Sequence, residues 1–250
     1  VPGDVSATVA GDAPAARTEA WRRHPAVVEG RHVVRVRADE LERRRARRRS
    51  PREWAGVVLV WGLLAVALLA VGLIVAMRYG ALPGDALSRV QAARGMVAGR
   101  DPHPEAIGFV WGPFPTLFEV PFVWFARWWP SITGTGVAAV IVSAMALSAM
   151  ALQLFGWGRD LRAPRWLCLV AVVLTLAHPL VWTTGVNGMS EAVWFLLLVI
   201  AGRRLTRWVD TDEVLTLAIS GLALGLAYLA RFETVAAIAA ASTLVGLVSF

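Results

Sequence analysis

A long apolar run behind an arginine-rich block is the feature that most constrains this chain. Trp54 to Met77 is apolar over more than the roughly 20 residues that cross a bilayer as a helix. The block Glu42–Arg49, followed by Arg52, precedes the run, and positive residues before a first span normally mark the cytoplasmic side. The pattern predicts a first membrane span that leaves the cytoplasm, and it favours a topology signal over a nucleic-acid-binding tail.

The composition supports a membrane protein. Of the 250 residues, 57% are hydrophobic and 17% are charged, which is too apolar for one or two soluble domains. The 25 basic residues include no lysine, a usage typical of high-GC bacterial genomes. We therefore expect a multi-pass protein of a bacterial plasma membrane with a cytoplasmic N-terminus. Cys168 is the single cysteine, so neither an internal disulfide nor a cysteine-based metal site is available.

The chain divides into a polar tail and a membrane module. Residues 1–53 are rich in Ala, Arg, Pro and Gly, and they predict a disordered cytoplasmic tail. Residues 54–250 predict an all-α, polytopic transmembrane bundle, because an isolated strand cannot satisfy its backbone in lipid. We expect about six spans, the last cut off at Phe250, so that the chain is the N-terminal part of a longer protein.

Further crossings are predicted at Ile132–Phe155, Trp166–Trp182, Ala192–Gly202 and Val214–Ala230, with a sixth from Thr234. Arginines in the segments Gly158–Arg165 and Arg203–Arg207 place both of these connections inside the cell. In the fifth span, the spacing of Gly221 and Gly225 is typical of small-residue helix packing.

Residues 79–130 form the predicted first extracytoplasmic loop. Between Asp85 and Ala98, apolar residues recur at helical spacing and predict an amphipathic helix at the membrane surface. The prolines in Gly99–Glu105 predict an irregular loop. Phe114–Trp129 is apolar but contains two prolines, a glutamate and an arginine, and it is short for a crossing. We interpret it as an interfacial helix.

This topology brings polar groups from three separate loops to the outer membrane surface. They are Asp85 after span one, Asn187 to Glu191 between spans three and four, and Arg231 with Glu233 after span five. Charged residues at helix ends of a membrane bundle are costly unless they are paired or solvated, so a functional site is a reasonable hypothesis.

Each of these groups also has a purely structural explanation. Asp85 and Glu191 could cap the helices that follow them, and Arg89 could pair with Asp85 one turn away. Asn187 could be a turn residue, and Arg231 could extend its charge to the interface. His103 has no second histidine at ligand spacing, so a histidine-based metal site is not predicted. A divalent metal bound by the acids stays open as a cofactor.

The chemistry that would use these parts together is sugar transfer from a lipid phosphate. An acceptor hydroxyl needs a carboxylate base to attack the anomeric carbon, and an arginine fork stabilises the leaving phosphate. The transition state resembles an oxocarbenium ion, so nearby carboxylates also help electrostatically.

Four segments resemble those of the GT-C glycosyltransferases, polytopic enzymes that use polyprenyl-phosphate sugars. Asp85–Arg89 with Gly99 is similar to their first outer loop, and Trp111–Leu117 to their Pro-rich entry into an interfacial helix. Asn187–Glu191 resembles their second outer loop and Gly225–Glu233 their third. The resemblance extends over roughly residues 54–250.

The resemblance implies an inverting glycosyltransferase with a role for each outer residue. Asp85 would be the catalytic base and Glu191 a second catalytic acid, while Arg231 and Arg89 would bind the donor phosphate. Asn187, Glu233 and Glu105 would orient the substrates. The partners would be a polyprenyl-phosphate sugar, an acceptor in the cell envelope and the lipid bilayer, with no nucleic acid.

Three alternatives remain open at this point. A transporter or flippase for a lipid-linked sugar would share the outward polar groups, but it should also carry ionisable residues inside its spans. Apart from His178 there are almost none. An O-antigen-ligase-like enzyme is chemically close to a glycosyltransferase. In a non-enzymatic membrane scaffold, the outer acids would only be helix caps.

Overall fold

The computed structural model of the protein describes residues 51–108 and 112–249. Among these residues every regular element is helical and no strand occurs, which confirms the all-α prediction for this part of the chain. Residues 56–250 form one compact unit. The predicted tail, residues 1–53, lies outside the described residues apart from 51–53, which begin the first helix.

The helices follow one another with short connections. They are α1 (Pro51–Leu73, extended by a π-helical turn at Ile74–Arg78), α2 (Gly84–Ala98), α3 (Pro113–Val123), α4 (Ser131–Gly134), α5 (Val137–Asp160), α6 (Arg165–Ala177), α7 (Pro179–Val186), α8 (Glu191–Thr211), α9 (Val214–Ala230) and α10 (Thr234–Ser249). Two 3₁₀ turns lie at Pro104–Ile107 and Trp124–Arg127.

Two of the described helices are long and apolar enough to cross a membrane. They are α1, over Ala55–Arg78, and α5. A third crossing is available if α6 and α7 act as one span, although they are bent by 72° where His178 meets Pro179. Proline cannot donate the helical hydrogen bond, and it disfavours a helical conformation in the residue before it. The helices α9 and α10 are apolar but shorter.

Several predicted span boundaries were wrong. The second crossing begins at Val137 rather than Ile132, because the chain turns at Gly136, whose φ of +73° separates α4 from α5. The third is broken at His178 instead of running straight to Trp182.

The helix predicted for the fourth crossing was also too short, and α8 is not one of the described helices that are apolar enough to cross a membrane. Helix α8 continues past Gly202 to Thr211, so the arginines of the segment Arg203–Arg207 lie within the helix. Arg203 Nε lies 2.7 Å from Asp160 Oδ2 at the end of α5, and its Nη1 donates to Gln153 at 2.7 Å. These contacts allow the helix to extend through a basic segment that the sequence pattern assigned to a loop.

The packing face predicted for α9 was wrong. A side-chain carbon added at Gly221 or Gly225 would meet nothing within 4 Å. The helix instead presents Ser220, Ala223 and Ala227 to the interior, and Ser220 Oγ donates to the Ala201 carbonyl of α8 at 2.9 Å. Small residues do mediate this helix contact, but they lie on the neighbouring face.

The core is centred on α5. Leu147 and Met150 are almost fully buried, and they pack with side chains of α1, α7, α8 and α9. A side-chain carbon at Gly72, near the end of α1, would clash with Val140 Cγ1 and lie 2.7 Å from the Val186 carbonyl oxygen. The packing of the C-terminal end of α1 therefore depends on the absence of a side chain at this position.

We expect Gly72→Ala to destabilise the protein by about 1–3 kcal/mol, because the added methyl group overpacks the contact with α5 and α7. Gly62→Ala, in the same helix, is the matched control, since nothing lies within 4 Å of its position. Alanine has the higher helix propensity, so the control should be neutral or slightly stabilising. The melting temperatures of both variants are measured by thermal unfolding in detergent, with tryptophan fluorescence as the signal. Equal melting temperatures for the two variants would contradict this packing.

Candidate functional site

Helix α2 carries a charged side chain into the protein. Its residues Ala86, Val90 and Ala93 are fully buried and pack with the beginning of α5 and part of α3. Arg89 lies three residues after Ala86 and four before Ala93, so it shares this inward face and is only 2% exposed. The predicted amphipathic helix exists, but its apolar face packs on protein.

Arg89 joins α2 to two other segments. Its Nη2 donates a hydrogen bond of 2.8 Å to the carbonyl oxygen of Gly188, and its Nε lies 3.8 Å from Glu119 Oε1 of α3. Gly188 has a φ of +75°, and a side-chain carbon there would lie 2.9 Å from Ala139 Cβ. A glycine is therefore needed for this carbonyl to reach the guanidinium.

Glu119 is a buried carboxyl group that sequence reasoning did not assign to the site. It is 1% exposed, and Oε2 has no hydrogen-bond partner among the described residues. Burial raises the pKa of this carboxyl to about 8, and the positive charge of Arg89 only partly opposes the shift. At neutral pH Glu119 is therefore mainly protonated. The signal that could have identified it is an acid within an otherwise apolar helix, α3.

A second charged group joins α8 to the end of α9. Arg231 Nη1 donates to Glu191 Oε1 at 2.5 Å, and Arg231 Nη2 donates to Glu233 Oε1 at 2.8 Å. The hydrogen bond from Arg231 lowers the pKa of Glu233, and the same bond is the main cause that raises the pKa of Arg231. Glu191 Oε2 is buried with no described partner.

The connection between α9 and α10 is held by further contacts. Trp194 Nε1 of α8 donates to Thr234 Oγ1 at 2.8 Å, and this hydroxyl donates to the Arg231 carbonyl at 2.7 Å. The first loop also reaches this region, since a side-chain carbon at Gly112 would lie 2.5 Å from the Leu229 carbonyl oxygen. Trp111, in the same predicted entry segment, lies outside the described residues.

Asp85 is half-buried in the first turn of α2 and makes no hydrogen bond or ion pair with a described residue. The helix begins after Pro83, and no side chain caps it. Arg89 contacts Glu119 rather than Asp85, so the predicted one-turn ion pair does not form. Asp85 is therefore neither a helix cap nor the ion-pair partner of Arg89.

The charges of both groups act on Arg89. Burial lowers the pKa of Arg89, while the negative charges of Glu119, Glu191 and Asp85 oppose this shift. Arg231 acts in the same direction as burial. Arg89, Glu119, Asp85, Glu191 and Arg231, together with Glu233, form what we call the acidic cluster. It joins the three loops in which the sequence placed polar groups.

Two predicted site residues contribute little to the acidic cluster. Asn187 Oδ1 accepts a hydrogen bond from the Met189 backbone N–H at 3.1 Å, as a turn residue does. Glu105 is exposed in a 3₁₀ turn, and none of the contacts above involve it. Within residues 51–108 and 112–249, no group of three or more His, Cys, Asp or Glu side chains is arranged to hold a metal.

The acidic cluster offers an accessible carboxylate beside an accessible arginine. Arg231 has 28% of its side chain exposed, whereas the Arg89 side chain is 3% exposed and is occupied by Gly188 and Glu119. Of the two arginines predicted to bind phosphate, Arg231 is the more exposed, although each of its three guanidinium nitrogens donates to Glu191 or Glu233. Arg89 instead supplies a buried positive charge beneath Asp85 and Glu191, since Glu119 is mainly neutral.

Comparison with known proteins found no matching family model, no matching curated protein and no matching solved structure. The resemblance to GT-C enzymes therefore rests on the residues of this chain.

Titration of Glu119 should make stability depend on pH. The carboxyl titrates near its ordinary value of 4.5 when unfolded and near 8 when folded. The unfolded state thus loses its proton first, and stability falls as pH rises from about 4.5 to about 8. We expect Glu119→Gln to remove this loss of stability. The difference between its melting temperature and that of wild type should therefore increase as the pH rises from about 4.5 to about 8.

The matched control for this titration is Glu233→Gln. Glu233 is exposed and its pKa is lowered, so its contribution to stability is lost only as pH falls below its ordinary range. Between pH 5 and 8, the melting temperature of the control in detergent should therefore change with pH as that of wild type does. If the melting temperature of Glu119→Gln also follows that of wild type, the raised pKa of Glu119 is contradicted.

Proposed function

We propose that this chain belongs to an inverting membrane glycosyltransferase of the GT-C type. It transfers a sugar from a polyprenyl-phosphate donor to an acceptor in the cell envelope, on the outer face of a bacterial plasma membrane. The observation that carries the proposal is Asp85, a half-buried carboxylate with no described partner, in one cluster with the Arg231–Glu191 pair.

Asp85 acts as the base that accepts the proton of the acceptor hydroxyl. An aspartate without an ion-pair partner is available for this role, and a positioned base contributes about 10²–10⁴ in rate. Arg89 lies one turn further along α2 and is a positioning residue. Its hydrogen bond to the Gly188 carbonyl fixes the second outer loop relative to α2.

Arg231 binds the donor phosphate. Glu233 accepts from Nε and Nη2, and Glu191 accepts from Nη1, so one N–H on each terminal nitrogen is left for a phosphate oxygen. Glu191 additionally presents a buried, unpartnered carboxylate oxygen that can accept a hydrogen bond from a sugar hydroxyl. Charge developing on the leaving phosphate is thereby met by a preorganised arginine.

The membrane placement is part of the proposal. The apolar helices α1 and α5 support a lipid environment. We place the N-terminus in the cytoplasm because of the arginine-rich block, and the acidic cluster then faces outward. The opposite end of α5, with Asp160 and Arg203, faces the cytoplasm. A multi-pass arrangement of about six spans requires α8, α9 and α10 to cross in addition to α1, α5 and the α6–α7 pair.

We expect Asp85→Asn to abolish sugar transfer, with a loss of at least 10² in rate, because the amide cannot accept the hydroxyl proton. Membranes carrying the full-length protein are incubated with radiolabelled polyprenyl-phosphate sugars, and transfer of label into envelope material is measured. Asp101→Asn is the matched control, since this aspartate lies in the same loop with 94% of its side chain exposed. It should retain wild-type activity.

Two results would overturn the assignment. Transfer by Asp85→Asn at the wild-type rate, with equal membrane abundance, would remove Asp85 as the base. Absence of transfer from every donor, while labelled lipid still crosses the membrane, would favour the transporter alternative instead.

A further inference from the structure

A cavity outside the acidic cluster lies among the elements of the first outer loop. Its volume is about 780 Å³, and it is lined by the C-terminal part of α2, the turn after α3 and helix α4. No residue of the acidic cluster lines it. The volume is within the range of sites that bind small molecules.

Local structure fixes the walls of this cavity. Arg94 and Val97 are three residues apart, so they lie on one face of α2. Gln91 Nε2, one turn earlier, donates to the Thr133 carbonyl at 3.1 Å and ties α2 to α4. The 3₁₀ turn Trp124–Arg127 tightens the end of α3 and directs Trp124 and Arg127 to the opposite side of the cavity.

The polar lining of the cavity is cationic. Arg94 and Arg127 face it, and no acidic residue does. Neither arginine forms an ion pair with a described residue, and Arg127 lies 5.9 Å from the centre of the Trp128 ring. Two guanidinium groups without a carboxylate partner create a site for an anion, and arginine favours phosphate because its donors match the oxygens.

The remaining walls are apolar and open at an aromatic surface. Trp124 and Trp128 are 69% and 73% exposed, and Val97 contributes an aliphatic wall. Tryptophan with one apolar and one polar edge is enriched at the depth of lipid headgroups. A water-soluble anion would gain nothing from these walls, whereas an anion attached to a hydrocarbon chain would bury that chain against them.

We propose that this cavity binds the phosphate group of an anionic membrane lipid. Arg94 and Arg127 hold the phosphate, and the exposed tryptophans contact the first carbons of the lipid chain. An anionic phospholipid and a polyprenyl phosphate share this chemistry. The proposal does not depend on sugar transfer at the acidic cluster, because the two sites have no residue in common.

The test measures lipid binding to the purified full chain in neutral detergent by native mass spectrometry. The probes are phosphatidylglycerol, undecaprenyl phosphate, zwitterionic phosphatidylcholine and inorganic phosphate. The variant is Arg94→Gln with Arg127→Gln, and the control is Arg100→Gln with Arg165→Gln, two exposed arginines that do not line the cavity. Melting temperatures without lipid establish that both double variants are folded.

We expect the cavity variant to bind phosphatidylglycerol and undecaprenyl phosphate at least tenfold more weakly than the control, since each lost charged hydrogen bond weakens binding substantially. Tighter binding of undecaprenyl phosphate than of phosphatidylglycerol would identify the carrier lipid as the ligand, and the reverse order would identify a phospholipid. Either order supports the site.

Three results would overturn the proposal. They are equal binding of the anionic lipids by the cavity variant and the control, binding of phosphatidylcholine as tight as that of phosphatidylglycerol, and binding of inorganic phosphate as tight as that of either lipid. The last result would show that the apolar walls contribute nothing.

Discussion

The buried guanidinium of Arg89 is the group on which the arrangement of α2, α3 and the turn before α8 depends. A buried charge is costly unless it is paired and hydrogen-bonded, and removing one partner leaves the other uncompensated. Arg89 meets this requirement only in part: Nη2 donates to the Gly188 carbonyl, whereas Nε lies 3.8 Å from Glu119 Oε1 and has no hydrogen-bond partner among the described residues. These contacts bring α2, α3 and the turn before α8 together at one point. The apolar face of α2 brings it there, because Ala86, Val90 and Ala93 share its side of the helix.

The same guanidinium explains why carboxylates collect near it. Burial raises the pKa of Glu119 far enough that this group does not neutralise Arg89 at pH 7. The charge of Arg89 is then balanced from a distance by Asp85 and Glu191, and Glu191 in turn pairs with Arg231. Arg89 and Glu119 are therefore the buried part of the acidic cluster, and Arg231 and Glu233 are its partly exposed part. In the proposed transferase, preorganised charges of this kind would stabilise the transition state.

Sequence periodicity predicted most of the helices, because local rules decide where a helix forms. It also drew attention to charged residues that lie at the ends of those helices. Asp85, Glu191 and Arg231 could be found because each adjoins the boundary of an apolar segment. Glu119 was missed because its role depends on Arg89, which is distant in sequence. Gly221 and Gly225 suggested a packing face that is open, since spacing alone does not say which side of a helix meets a neighbour. Likewise, α8 extends through its arginines because of Asp160 and Gln153, contacts that no local pattern reveals.

The central claim is that one cluster of charged residues from three loops faces the outside of the membrane. It can be tested by cysteine accessibility in intact cells, with Cys168→Ser as the background because this thiol is buried. Asp85→Cys and Glu233→Cys should react with a membrane-impermeant maleimide, while Arg165→Cys, at the start of α6, should react only after permeabilisation. Labelling of Arg165→Cys in intact cells, or protection of both Asp85→Cys and Glu233→Cys, would contradict the claim.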